Sequence, residues 1–145
     1  MNLSQLGLNA VLALNVLWFG AGAVYFGLQG RSAAKLLVAR EERGHPLFAT
    51  LAASVRFLGG LNLAFAALSA VMLCGGPALF PEGRQVAALA GVIALAHGSQ
   101  FAANLPVALR GGSPWPVLSG RMYFIFCVDF ALMVANAVVA VQRWP

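Results

Sequence analysis

Three ionisable side chains lie inside stretches of sequence that are otherwise apolar: Arg56, His97 and Asp129. An ionisable group inside a bilayer costs about 2.5–3.5 kcal/mol on insertion scales, so each of these residues is a candidate for function. His97 is suited to proton transfer, and Asp129 to carrying a proton as a coupling acid. Counting along the apolar stretches places Arg56 and Asp129 at similar depth, so we expect a buried ion pair between them, with Asn104 nearby. The alternative is that Arg56 extends its long side chain to the lipid headgroups.

Uncharged polar residues recur at helical spacing around these three ionisable residues. Residues three, four or seven positions apart share one face of a helix, so the polar residues are predicted to form inward-facing stripes. Such stripes predict a polar groove between helices that binds a ligand or a partner. Its predicted residues are Asn15, Tyr25, Arg56, Asn62, His97, Gln100, Asn104, Asp129 and Asn136. A purely structural interpretation stays open, because amide side chains also form hydrogen bonds between membrane helices.

Metal, haem and nucleophile chemistry lack the residues that they require. A zinc site needs three or four convergent ligands, and a haem between two membrane helices needs two strong axial ligands. The chain has two histidines, His45 and His97, and two scattered cysteines, Cys74 and Cys127. Ser99 follows His97 by two positions, which places the two side chains on different faces of a helix. We therefore expect no metal ion and no bound cofactor.

The composition excludes an ordinary soluble enzyme. Of the 145 residues 61% are hydrophobic and 9% are charged, whereas globular domains carry about 25% charged residues. No charged side chain occurs from Met1 to Gly30 or from Gln85 to Leu109. The net charge of +5 comes from basic residues that interrupt apolar stretches rather than clustering beside polar side chains, so no nucleic-acid partner is expected.

Four apolar stretches are long enough to cross a membrane, since about 20 helical residues span a hydrocarbon core of about 30 Å. They cover roughly residues 6–28, 47–73, 86–109 and 122–141, so we predict an all-α, antiparallel up-down four-helix bundle in one membrane domain, residues 1–145. No basic residue precedes the first stretch, which we interpret as a retained helix rather than a signal peptide. Glycine and proline end the second and third helices, whereas the segment 31–46 is expected to extend the first helix.

The basic residues predict how the bundle is oriented. Two connections on one side of the predicted bundle contain six Lys and Arg residues, and the other side contains two, Arg84 and Arg143. Basic residues are enriched in cytoplasmic loops. We therefore expect both termini outside, in the inner (cytoplasmic) membrane of a bacterium. The six basic residues on the cytoplasmic side would be Arg31, Lys35, Arg40, Arg43, Arg110 and Arg121.

The segment VRFLGGLNLAFAAL, residues Val55 to Leu68, contains an arginine followed by a glycine pair: Arg56, Gly59 and Gly60. This pattern resembles the Arg-x-x-Gly-Gly motif of small, DoxX-like four-helix membrane proteins of bacteria. The resemblance covers the four-span layout and this one motif. It implies an accessory or binding role in the membrane and carries over no catalytic residues.

Together these patterns predict a non-catalytic integral membrane protein that binds a partner subunit or a lipid-like ligand in its polar groove. The expected partners are membrane lipid and a membrane protein or a second copy of the chain. Two alternatives stay open. One is a membrane enzyme or redox component acting on a lipophilic, quinone-like substrate, with His97 handling the proton. The other is a small oligomeric proton-coupled transporter, with Asp129 as the coupling acid.

Overall fold

The computed structural model describes residues 3–112 and 114–144, and these residues form helices and turns without a strand. The all-α prediction is confirmed. The helices in chain order are α1 (Leu3–Leu28), α2 (Gly30–Ala34), a 3-10 helix (Arg40–Gly44), α3 (Leu47–Ser54), α4 (Arg56–Leu79), α5 (Gly83–Leu109) and α6 (Gly120–Arg143).

Four helical stretches are long and apolar enough to cross a membrane: α1, α3 together with α4, α5, and α6. These match the four predicted spans. The second span is 33 residues long and continues past its predicted end near residue 73 to Leu79. A kink at Gly76 interrupts it, where φ is 46° and ψ is −140°. Pro77 disfavours a helical conformation at the preceding residue, and glycine tolerates the positive φ that results.

The long helices pack mainly in two pairs, α1 with α4 and α5 with α6. Gly27 and Gly59 bring the first pair into backbone contact, because a Cβ atom on Gly59 would overlap the Cα and N atoms of Gly27. In the second pair Phe101 stacks on Phe126 with ring centroids 4.7 Å apart. The main apolar core lies where the two pairs meet and contains Leu8, Leu12, Phe19, Ala66, Met72, Val86, Ala90, Ile93 and Val139.

The segment after α1 does not extend that helix, so this prediction is wrong. The short helix α2 ends at Ala34, and the chain then turns back toward the start of α3. Arg43 closes the turn by donating hydrogen bonds to the backbone oxygens of Lys35, at 2.9 Å, and Val38, at 3.1 Å. The physical reason is burial, because the fold-back encloses a small apolar cluster that a straight helix would expose: Ala33, Ala34, Phe48 and Val55.

Candidate functional site

A cluster of four polar side chains lies where α1, α5 and α6 meet. Asn15 comes from α1, His97 from α5, and Asp129 and Asn136 from α6. Each is at most 1% exposed. Burying a polar group costs free energy unless it is hydrogen-bonded, so the contacts within this cluster decide whether it stabilises the bundle. We call these four residues the polar cluster.

The polar cluster is a continuous chain of hydrogen bonds. Nδ1 of His97 lies 3.1 Å from Oδ1 of Asp129, and Nε2 of His97 lies 3.1 Å from Oδ1 of Asn15. Asn15 donates from Nδ2 to Oδ1 of Asn136 at 2.8 Å, and Asn136 donates from Nδ2 to Oδ1 of Asn15 at 3.1 Å. Nδ2 of Asn136 also donates to the backbone oxygen of Leu132 at 2.8 Å. The chain thus runs from a carboxyl group to the backbone of α6.

Two aromatic residues of α1 complete the surroundings of the polar cluster. Trp18 donates from Nε1 to Oδ1 of Asp129 at 3.0 Å, and Phe19 stacks on the imidazole of His97 with centroids 4.4 Å apart. Sequence reasoning missed both residues. Trp18 follows Asn15 by three positions, so helical spacing placed it on the same face.

Two buried polar atoms among the described residues have no hydrogen-bond partner: Oδ2 of Asp129 and Oγ of Ser69. An unsatisfied buried polar atom is costly, and such atoms in a native fold call for a functional or chemical explanation. Asp129 therefore combines full burial, a titratable partner and an unpartnered oxygen atom.

The predicted ion pair between Arg56 and Asp129 is wrong. Within residues 3–112 and 114–144, the one acid–base side-chain contact at ion-pair distance joins Nδ1 of His97 to Oδ1 of Asp129, at 3.1 Å. Arg56 is exposed and donates from Nε to the backbone oxygen of Gly27 at 3.1 Å. Asn104 is not beside Asp129 either, since its Oδ1 accepts from Nε1 of Trp115 at 3.0 Å. Depth along a helix leaves the rotation of the helix undetermined, and rotation decides which side chains meet.

A second site is a cavity of about 360 Å³ between α1, α4, α5 and α6, which Leu36 of the segment after α2 also lines. Three predicted groove residues line it, namely Tyr25, Asn62 and Gln100. Arg121 also lines it, although sequence reasoning placed this residue in a basic loop only. The remaining lining residues are apolar or aromatic: Trp18, Ala21, Gly22, Phe26, Leu36, Phe124 and Ile125.

Arg121 is the charged residue in the cavity lining. Its guanidinium carbon lies 5.8 Å from the centroid of the Tyr25 ring, within the range of a cation–π interaction. In the part of the chain that the structure describes, Arg121 forms no ion pair with a carboxylate. An apolar cavity beside an arginine that lacks an acidic partner is suited to a molecule with an apolar body and an anionic group.

The structure thus places seven of the nine predicted groove residues in two separate sites. Four form the polar cluster, three line the cavity, and two, Arg56 and Asn104, lie in neither. Trp18 connects the two places, because its indole nitrogen bonds to Asp129 and its side chain lines the cavity.

Comparison with protein-family models, with curated protein sequences and with solved structures finds no match to this chain. The resemblance to DoxX-like proteins therefore stays a prediction that rests on Arg56, Gly59 and Gly60. The function has to be argued from the polar cluster and the cavity.

Proposed function

We propose that this chain is a non-catalytic integral membrane protein that binds a lipid-like molecule with an anionic head in the cavity beside Arg121. The observation that carries the proposal is the pairing of apolar cavity walls with a cation that has no acidic partner among the described residues. Binding sites for small molecules are typically mostly apolar clefts with a few polar groups that orient the ligand. A volume of about 360 Å³ lies within the range of such sites.

The direction of the helices supports the same proposal. Gly27 of α1 contacts Gly59 of α4, and Phe19 of α1 stacks on Phe65 of α4. Residue numbers therefore increase in opposite directions along the two helices. This favours an antiparallel up-down bundle, and the excess of basic residues on one side favours both termini outside a bacterial inner membrane. Arg121 would then face the cytoplasmic leaflet, where anionic lipids are enriched.

The orientation is tested by cysteine labelling in intact cells. Cysteine is placed at Glu42 or Glu82 in a chain whose exposed native cysteines, Cys74 and Cys127, are changed to serine. A membrane-impermeant maleimide should label the position of Glu82 and not that of Glu42. Labelling at Glu42 from outside would overturn the orientation.

Ligand binding is tested by native mass spectrometry of the chain released from nanodiscs that contain phosphatidylglycerol and phosphatidylethanolamine. We expect a retained anionic lipid. Arg121→Gln should reduce its occupancy about tenfold, which corresponds to about 1.4 kcal/mol, because a charge-assisted hydrogen bond is lost. Arg110→Gln is the matched control, since Arg110 is exposed near the same end of the bundle and does not line the cavity.

A second pair of variants tests whether the lipid occupies the cavity itself. Ala21→Phe places a ring in the cavity, whereas Ala10→Phe adds the same ring to an exposed position of α1 outside the cavity. We expect Ala21→Phe to remove the bound lipid and Ala10→Phe to retain it. Equal lipid occupancy in these two variants and in both arginine variants would contradict the proposal. A co-purifying protein subunit in place of lipid would favour the partner-binding alternative.

A second candidate function, proton-coupled transport, is favoured by one observation, the fully buried Asp129 with an unpartnered Oδ2 atom. Reconstituted liposomes with a potassium-diffusion potential and an internal pH-sensitive dye test it. Proton entry that Asp129→Asn abolishes would support transport, and impermeable liposomes would oppose it. The enzyme alternative gains no support from the cavity, since His97 is not among its lining residues.

A further inference from the structure

We infer that His97 and Asp129 form a proton-binding site in which one proton is held between Nδ1 and Oδ1, Nε2 of His97 is protonated, and the pair has no net charge. The inference depends on the polar cluster alone and does not depend on the proposed lipid site. It follows from which atoms of the cluster can donate a hydrogen bond and which can only accept one.

The argument begins at the backbone of α6. A backbone carbonyl oxygen can only accept, so the side-chain atom of Asn136 that lies 2.8 Å from the oxygen of Leu132 must be its Nδ2 donor. This leaves Oδ1 of Asn136 to accept from the atom of Asn15 that lies 2.8 Å away. That atom must be Nδ2 of Asn15. Oδ1 of Asn15 is therefore the atom that faces His97.

The amide chain in turn determines the protonation of the imidazole. Oδ1 of Asn15 can only accept, so Nε2 of His97, at 3.1 Å, must bear a hydrogen. The tautomer with hydrogen on Nδ1 alone would place two acceptors against each other at this contact. The orientation of Asn15 and Asn136 thus excludes the arrangement in which a neutral histidine donates from Nδ1 to a carboxylate.

The contact between His97 and Asp129 then needs a hydrogen of its own. If Nδ1 of His97 were unprotonated and Asp129 were ionised, two hydrogen-bond acceptors, Nδ1 and Oδ1, would lie 3.1 Å apart with no hydrogen between them. Two arrangements remain, a protonated carboxyl group donating to Nδ1, or an imidazolium donating to a carboxylate. They differ only in where one proton lies along the line from Nδ1 to Oδ1, and both have zero net charge.

Burial supports the neutral pair. His97 and Asp129 are both 0% exposed, and a net charge in such a place is strongly unfavourable. The side chains that bond to the pair, Trp18 and Asn15, do not titrate and cannot neutralise it. Asn136, which bonds to Asn15, does not titrate either. Arg56 bonds to Gly27 instead. A proton on the pair is the remaining way to balance the charge.

The test is solid-state NMR of the full chain in lipid bilayers at neutral pH. Asp129 is the one aspartate in the sequence, and His45→Gln leaves His97 as the one histidine, so selective labelling gives unique resonances. Histidine is labelled with ¹⁵N and aspartate with ¹³C at Cγ in cell-free synthesis. The exposed His45 lies outside the polar cluster, so this variant should keep the native fold.

We expect one resonance for each ring nitrogen, with Nε2 protonated and a single further proton on either Nδ1 or the carboxyl group. A bare Nε2, or a neutral imidazole beside an ionised carboxylate, would overturn the inference. Asn136→Leu removes the donor to Leu132 and the constraint on Asn15, so a second tautomer should appear in that variant. A doubled set of imidazole resonances already in the His45→Gln chain would also overturn the inference, whether or not the Asn136 variant folds.

Discussion

Gly59→Ala should separate α1 from α4 and destabilise the bundle, and the size of the effect follows from the contact. An added Cβ atom would overlap Cα and N of Gly27 and lie 3.1 Å from the carbonyl carbon of Phe26. These are backbone atoms, so no flexible side chain can move aside, and the cost should reach the upper end of the 1–3 kcal/mol range for overpacking. Separation would also lengthen the hydrogen bond from Arg56 to Gly27, worth about 0.6 kcal/mol. The higher helix propensity of alanine offsets up to about 1 kcal/mol of this cost. The free energy of unfolding should therefore fall by about 2–3 kcal/mol.

Gly60→Ala is the matched control, because nothing lies within 4 Å of the Cβ atom that it would add. It should leave stability unchanged or raise it by up to about 1 kcal/mol through helix propensity. The assay is reversible unfolding in mixed micelles of increasing SDS content, followed by circular dichroism, with the parent chain and both variants in parallel. If Gly59→Ala unfolds at the same SDS fraction as Gly60→Ala, then the backbone contact between α1 and α4 does not exist.

Three further predictions concern the contacts of Asp129 and use the same unfolding assay. His97→Leu should destabilise the chain by about 1–3 kcal/mol, because the buried carboxyl group of Asp129 and Oδ1 of Asn15 each lose a hydrogen-bond partner, and a loss under about 1 kcal/mol would show that these contacts contribute little. Arg56→Gln and Asp129→Asn should have additive effects on the free energy of unfolding within about 0.5 kcal/mol, since the two residues share no partner. A larger coupling energy in the double variant would show that Arg56 and Asp129 do interact. Trp18→Phe keeps an aromatic ring beside Phe124 but removes the indole donor to Asp129, so it should cost about 0.6–1.7 kcal/mol, and an unchanged midpoint would count against that hydrogen bond.

The membrane class and the four spans could be read from the sequence because they depend on local properties. The length of an apolar stretch decides whether a helix can cross a bilayer, and this needs no knowledge of neighbouring helices. Glycine and proline act locally as well, and the kink at Gly76 falls within the breaker-rich segment that the sequence indicates. The segment 31–46 was the exception, because its fold depends on apolar contacts with α3 that helical spacing within the segment does not reveal.

Helical spacing also correctly predicted that several polar residues face the interior of the bundle. Asn15, His97, Asp129 and Asn136 were predicted to face inward and are at most 1% exposed. The physical reason is again local, since a polar residue in an apolar helix is most stable on the face turned away from lipid. The sequence therefore predicted the buried position of these four residues, but it predicted the same for Arg56, which is exposed.

Only the tertiary structure decided which of these residues meet. Asp129 bonds to His97 and Trp18 rather than to Arg56, because α6 packs beside α5 and α1 at a rotation that spacing along one helix cannot specify. The same packing separates the cavity beside Arg121 from the polar cluster and leaves Trp18 shared between them. Contacts of this kind depend on the rotation and register of whole helices, which arise from the packing of all four spans together.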